Sequence, residues 1–212
     1  MGTFDPARHG FGFRNPVGKR TGAAGAYGLR NWFSSLVYGR GLCFGMVVGS
    51  LRSYLRNEEV AHLPVSPGLL KYLKRLHLEQ FRPVAVLKIV WFWVGSQSGV
   101  SPGDIRLPDA GAPSSDPHIL CFGPVLNRSF LRCIRRAHAV VPYRIEESPD
   151  ETRTGETRIY VYDPNHPKKR DRYVTLGPGG GFAYGGFSAK GGWGVFPVPL
   201  SAISRFGGRG RG

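Results

Sequence analysis

Apolar residues at Phe44, Val47, Val48, Leu51 and Leu55 recur at the spacing of one helical face, and they predict a helix that begins at Cys43. Gly45 and Gly49 sit one turn apart inside it, where glycine weakens a helix, so another backbone is expected to pack closely there. A second amphipathic helix is predicted over residues 67–80. Leu69, Leu70, Leu73 and Leu76 face inward and Lys71, Lys74 and Arg75 outward. Over residues 84–94 periodicity does not settle the choice, so helix and buried strand both stay open there. Beyond residue 117 the pattern changes to β-branched and aromatic segments at 118–126, 138–147, 157–165, 172–176, 180–187 and 194–200. Helices first and an antiparallel sheet afterwards is an α+β layout. One domain is expected over residues 1–205, with an extended arm at 1–30 packed by Phe11 and Phe13, and a long Pro/Gly/Ser/Asp loop at 96–117. Residues 206–212 form a Gly/Arg tail too short to fold.

Charge adds a general property of the surface. Against 14 Asp and Glu stand 29 Lys and Arg, a formal net charge of +15, which attracts polyanions without specifying any chemistry. Three cysteines, Cys43, Cys121 and Cys133, have no paired spacing, so neither a disulfide framework nor a zinc site is expected. The first residues contain no apolar signal core, and Pro6 breaks the myristoylation pattern. The most apolar run, PVAVLKIVWFWVG, is interrupted by Lys88 and is shorter than the roughly 20 residues a membrane span needs. A soluble, cytoplasmic chain without metal or cofactor is the expectation.

Candidate chemistry centres on Cys43. A thiol at a helix start meets unpaired backbone N–H groups, whose partial positive charge favours the thiolate. A cysteine hydrolase also needs a base and a group to orient that base. His138 opens a predicted strand between two small residues. If the following hairpin turns near Thr152, facing residues have numbers that sum to about 303, which sets Asp163 opposite Val140. Asp163 and Asn165 then lie within a residue or two of His138 across the ladder.

The stretches GLCFGM, HAVVPYRI and IYVYDPNHP, with the GFGFRN arm, resemble the papain-like cysteine peptidases, and more narrowly the bacteriocin-processing type. The resemblance covers about half of the chain. It implies a papain-like fold with Cys43 as nucleophile, His138 as base, and Asp163, or Asn165 in its place, as the orienting residue. No Gln lies in residues 1–42 to complete an oxyanion hole as such enzymes do, which leaves Asn31 and Asn15 as side-chain candidates beside the Cys43 N–H. The expected activity is hydrolysis of a peptide or other amide, acidic if the surface charge steers it. Two alternatives are a basic protein that binds nucleic acid or another polyanion, partly through Arg205, Arg209 and Arg211, and a catalytically degenerate peptidase-fold interaction module.

Overall fold

The computed structural model describes residues 3–16, 41–95, 99–111, 116–124, 137–147 and 155–203. After a one-turn helix α1 (Pro6–His9) come three longer helices, α2 (Cys43–Leu55), α3 (Pro67–Glu79) and α4 (Pro83–Gly95). The strands follow as β1 (His118–Pro124), β2 (His138–Glu147), β3 (Thr157–Tyr162), β4 (Tyr173–Leu176), β5 (Phe182–Tyr184), β6 (Phe187–Ser188) and β7 (Trp193–Pro199), and a short helix α5 (Leu200–Ile203) closes the described chain. The α+β reading holds at this level.

These strands form one antiparallel sheet in the order β6-β5-β4-β3-β2-β1-β7, curled so that its two edges, β6 and β7, approach each other. Side chains alternate between the faces of a strand, and here both faces are buried over β1 and the start of β2. Ile119, Cys121, Ala139 and Val141 point to the helix layer, where they meet Val47, Val48 and Leu51. Leu120, Phe122 and Val140 point the other way, into the curl, and pack with Ile159, Val161, Val174 and Val195. The β2–β3 ladder has the anticipated register, pairing Val141 with Tyr162 and Pro142 with Val161. A bulge at Pro142–Arg144 then shifts the pairing by one residue.

Helix α3 starts on Ser66, whose side chain accepts from the Leu69 N–H, with Pro67 in the first turn where its missing donor costs nothing. Leu73 and Leu76 are fully buried, while Lys71, Lys74 and Arg75 are exposed. Glycine at position 45 makes the α2–α3 approach possible. A Cβ there would stand 2.2 Å from the Leu73 carbonyl oxygen.

One open alternative is settled and three local expectations are revised. Residues 83–95 are a helix. The strand expected over 180–187 is instead two short strands, β5 and β6, because the Gly185-Gly186 pair turns the chain, with Gly185 at φ +55°. The strand expected to reach residue 165 stops at Tyr162, and Asp163 begins a turn in which its carbonyl accepts from the His166 N–H. Part of the 96–117 loop is anchored. Val100 and Ile105 are buried in the core inside the sheet, around a 3-10 turn at Pro102–Asp104 that Ser101 and Asp104 cap reciprocally. In the arm, Phe11 is buried and Phe13 packs beside it as expected, but α1 interrupts the extended chain. The 206–212 tail lies outside the described residues.

Substituting Gly45→Ala forces the new methyl against the α3 backbone, which cannot yield without separating the helices. A loss of about 2–3 kcal/mol in urea unfolding is expected.

Candidate active site

Three elements meet at Cys43. The residue is the first of α2, half-buried, and Leu42 before it offers no side-chain cap. Asn15, in the N-terminal arm, holds the turn before the helix instead. Its Oδ1 accepts the Leu42 N–H at 2.6 Å, its Nδ2 donates to Asn165 Oδ1 at 3.0 Å, and its own N–H donates to the Pro164 carbonyl at 2.8 Å. One buried amide thus ties the arm to the turn before α2 and to the turn after β3. Gly41 makes room for it: φ is +104° there, and a Cβ would fall 2.4 Å from Asn15 Oδ1.

His138 is buried at the start of β2, in phase with Val140. Its ring lies nearly parallel to those of Phe122 and Phe187, at 6.3 and 6.2 Å between centroids. Its Nε2 is 2.9 Å from Asp163 Oδ1. With that nitrogen engaged, Nδ1 is left for Cys43, which is near enough to act on the ring's pKa. Burial works against the charged imidazolium, but the bond to Asp163 and the neighbouring Cys43 outweigh it and raise the His138 pKa. Asp163 is 2% exposed. Burial opposes its charge too, and it is overcome by the His138 bond and charge, the Tyr184 hydroxyl and the Asn165 N–H, so its pKa is lowered. A carboxylate can only accept, so Nε2 carries the proton of the shared bond.

The structure therefore brings Cys43, His138 and Asp163 together. Asn165 lies beside them but serves Asn15 through its side chain and Asp163 through its N–H, at 2.8 Å from Oδ1. Asp163, not Asn165, holds the ring. Asn15 is at the site, with its amide committed to the loop before Cys43, and Asn31 lies outside the described residues, as do Cys133 and the tail arginines. Cys121 is buried behind the site on the helix-facing side of β1, where desolvation raises its pKa far above that of an exposed thiol. Among the described residues no group of three His, Cys, Asp or Glu side chains could hold a metal ion.

One member was not anticipated. Tyr184 Oη donates to Asp163 Oδ2 at 2.5 Å, and the Arg172 guanidinium lies 5.1 Å above the Tyr184 ring. The ring stacks on Phe122 at 5.1 Å. In the sequence Tyr184 is one aromatic of GGFAYGGF, with no spacing that marks it. Only the curl of the sheet brings β5 to the end of β3. No family model, curated protein or solved structure matches the chain.

Two outcomes are expected. Tyr184→Phe keeps the stacked ring and deletes only the donor. It leaves a buried carboxylate oxygen short of a partner, for a loss of about 1–3 kcal/mol in urea unfolding. The His138–Asp163 pair also imposes a pH window. The raised His138 pKa contributes stability that is complete below the unfolded value of 6.5 and is lost as pH rises through the folded value. The lowered Asp163 pKa contributes above the unfolded value of 3.8 and loses its effect as pH falls through the folded value. The stability gap between wild type and Asp163→Asn should be widest between those unfolded values and narrow on either side, as measured by urea titrations across pH.

Proposed function

We propose that the chain is a cysteine hydrolase of papain-like type that cleaves a peptide or other amide through an acyl-thioester. The observation that carries this reading is the group Cys43–His138–Asp163, in which a partly exposed thiol at a helix start adjoins a buried imidazole whose far nitrogen is held by a carboxylate. A raised histidine pKa suits an imidazolium facing a thiolate. A structural cysteine has no use for that arrangement.

In the proposed cycle the Cys43 sulfur attacks the substrate carbonyl carbon and forms a C–S bond as the carbonyl π pair moves to oxygen. The Cys43 N–H, in the first turn of α2 where no intrahelical carbonyl can meet it, is the donor placed for that oxyanion. The oxyanion collapses, the C–N bond breaks, and the His138 imidazolium gives its proton to the departing amine. Neutral His138 then takes a proton from water, whose oxygen attacks the thioester. The C–S bond breaks, the acid leaves, and the thiolate–imidazolium pair is restored. Asp163 keeps its charge throughout and holds the ring with Nδ1 toward sulfur.

The test is alkylation by iodoacetamide across pH 4–9 with peptide mapping. Cys43 should be alkylated selectively, while Cys121, buried behind the site, stays unmodified. His138→Ala should slow that alkylation, and a peptide-based electrophile should label Cys43 in wild type only. A Cys43 that alkylates no faster in wild type than in His138→Ala sinks the proposal.

A further inference from the structure

Helix α4 exposes apolar side chains that neither the core nor the site uses. Val84, Leu87, Trp91 and Val94 recur at i, i+3, i+7 and i+10, the spacing of one helical stripe, and they are 63%, 71%, 77% and 49% exposed. The opposite side is anchored. Ala85 is buried, and Ile89 and Phe92 pack against the core shared with β7 and α5. At the elbow between α3 and α4, Leu78 and Phe81 are each 39% exposed. A monomer surface seldom keeps so much contiguous apolar area in water without a partner for it. Exposed Arg82 precedes the helix, and exposed Lys88 lies at one border of the stripe.

We infer that α4 is an in-plane docking surface for an anionic lipid bilayer. Leu87 and Trp91 would enter the headgroup boundary, and Arg82 and Lys88 would meet lipid phosphates and carboxylates. With 13 residues the helix is too short to span, and among the described residues no helix is long and apolar enough to cross a membrane. An apolar stripe with an indole and flanking cations is what the interface of a bilayer accepts. The net charge of +15 decides between occupants. Two copies joined through α4 would bring like-charged chains together, whereas an anionic bilayer satisfies the apolar stripe and the field at once.

The test is co-sedimentation of the full chain with vesicles in about 0.1 M salt, where the Debye length is about 10 Å. One set of vesicles is phosphatidylcholine alone, and the other also carries phosphatidylserine. Binding to the mixed vesicles is expected to exceed binding to phosphatidylcholine by at least about tenfold. Leu87→Gln with Trp91→Gln leaves the charge unchanged and should lower that binding by about tenfold or more. Arg82→Gln with Lys88→Gln should lower it several-fold, with a weaker salt dependence. Should the first pair melt early, Trp91→Phe replaces it. Binding then persists, and most of the vesicle-induced blue shift of tryptophan emission should vanish. Absence of binding to mixed vesicles overturns the inference. So does binding indifferent to Leu87 and Trp91, an unchanged blue shift in Trp91→Phe, or a stripe found to join two copies or hold an acidic protein instead. None of these results bears on Cys43, whose alkylation is read separately.

Discussion

A carboxylate taken out of water has to be met by donors, because an unpaired buried charge costs several kcal/mol, and much of this structure follows from meeting that demand at Asp163. The His138 ring, the Asn165 N–H and the Tyr184 hydroxyl converge on it from the start of β2, the turn after β3 and the end of β5. Those positions can converge only if the sheet curls, which carries β5 round to the inner face and closes β6 toward β7. The stacked rings of Phe122, Tyr184, Phe187 and His138 fill the space the curl encloses. They also limit the ways the imidazole can turn.

The same demand divides the work between layers. The helices supply the thiol and the sheet side supplies the imidazole and the carboxylate, so the two halves must be held in register across the interface between α2 and β2. Gly45 lets α2 sit down on α3, and Arg52 of α2 pairs with Glu79 of α3 at 2.8 Å. From the arm, the Tyr162 hydroxyl donates to the Phe11 carbonyl at 3.3 Å, and Asn15 joins the turns on either side of the site. The arm thus acts as a strap across two layers that touch mainly through apolar side chains. Such contacts are non-directional and would tolerate a small slide, whereas the Asn15 bonds would not.

What could be read from the residues, and what could not, divides along sequence distance. The helix start at Cys43, the close packing at Gly45 and the near placement of Asp163 and His138 each rest on a local pattern: periodicity, a glycine pair, and a hairpin whose register depends only on where it turns. The bulge at Pro142–Arg144 spoils that register further along the ladder but leaves it intact at the site end. Tyr184 and Arg172 were invisible because their role exists only after the sheet closes. Residues 84–94 defeated the periodicity argument for a different reason: apart from Lys88, α4 is apolar on its exposed side as well as its buried one, which leaves the phase weak.

Asn15 also bears on the missing glutamine. An amide whose oxygen already accepts the Leu42 N–H and whose nitrogen already donates to Asn165 is oriented by those bonds. Turning it toward a developing oxyanion would surrender both, along with the tie between the arm and α2. Asn15 therefore belongs to the support of the Cys43 peptide, and on the proposed function it acts through where that N–H points. On this reading the oxyanion donor is the nucleophile's own backbone, held in position by an arm residue 28 positions upstream in a chain of 212. A backbone donor cannot be deleted by ordinary substitution, but its support can. Asn15→Asp keeps the acceptor for Leu42 N–H and loses the donor to Asn165, and Asn15→Leu loses both. If support of the peptide is what matters, the first should retain more Cys43 reactivity than the second.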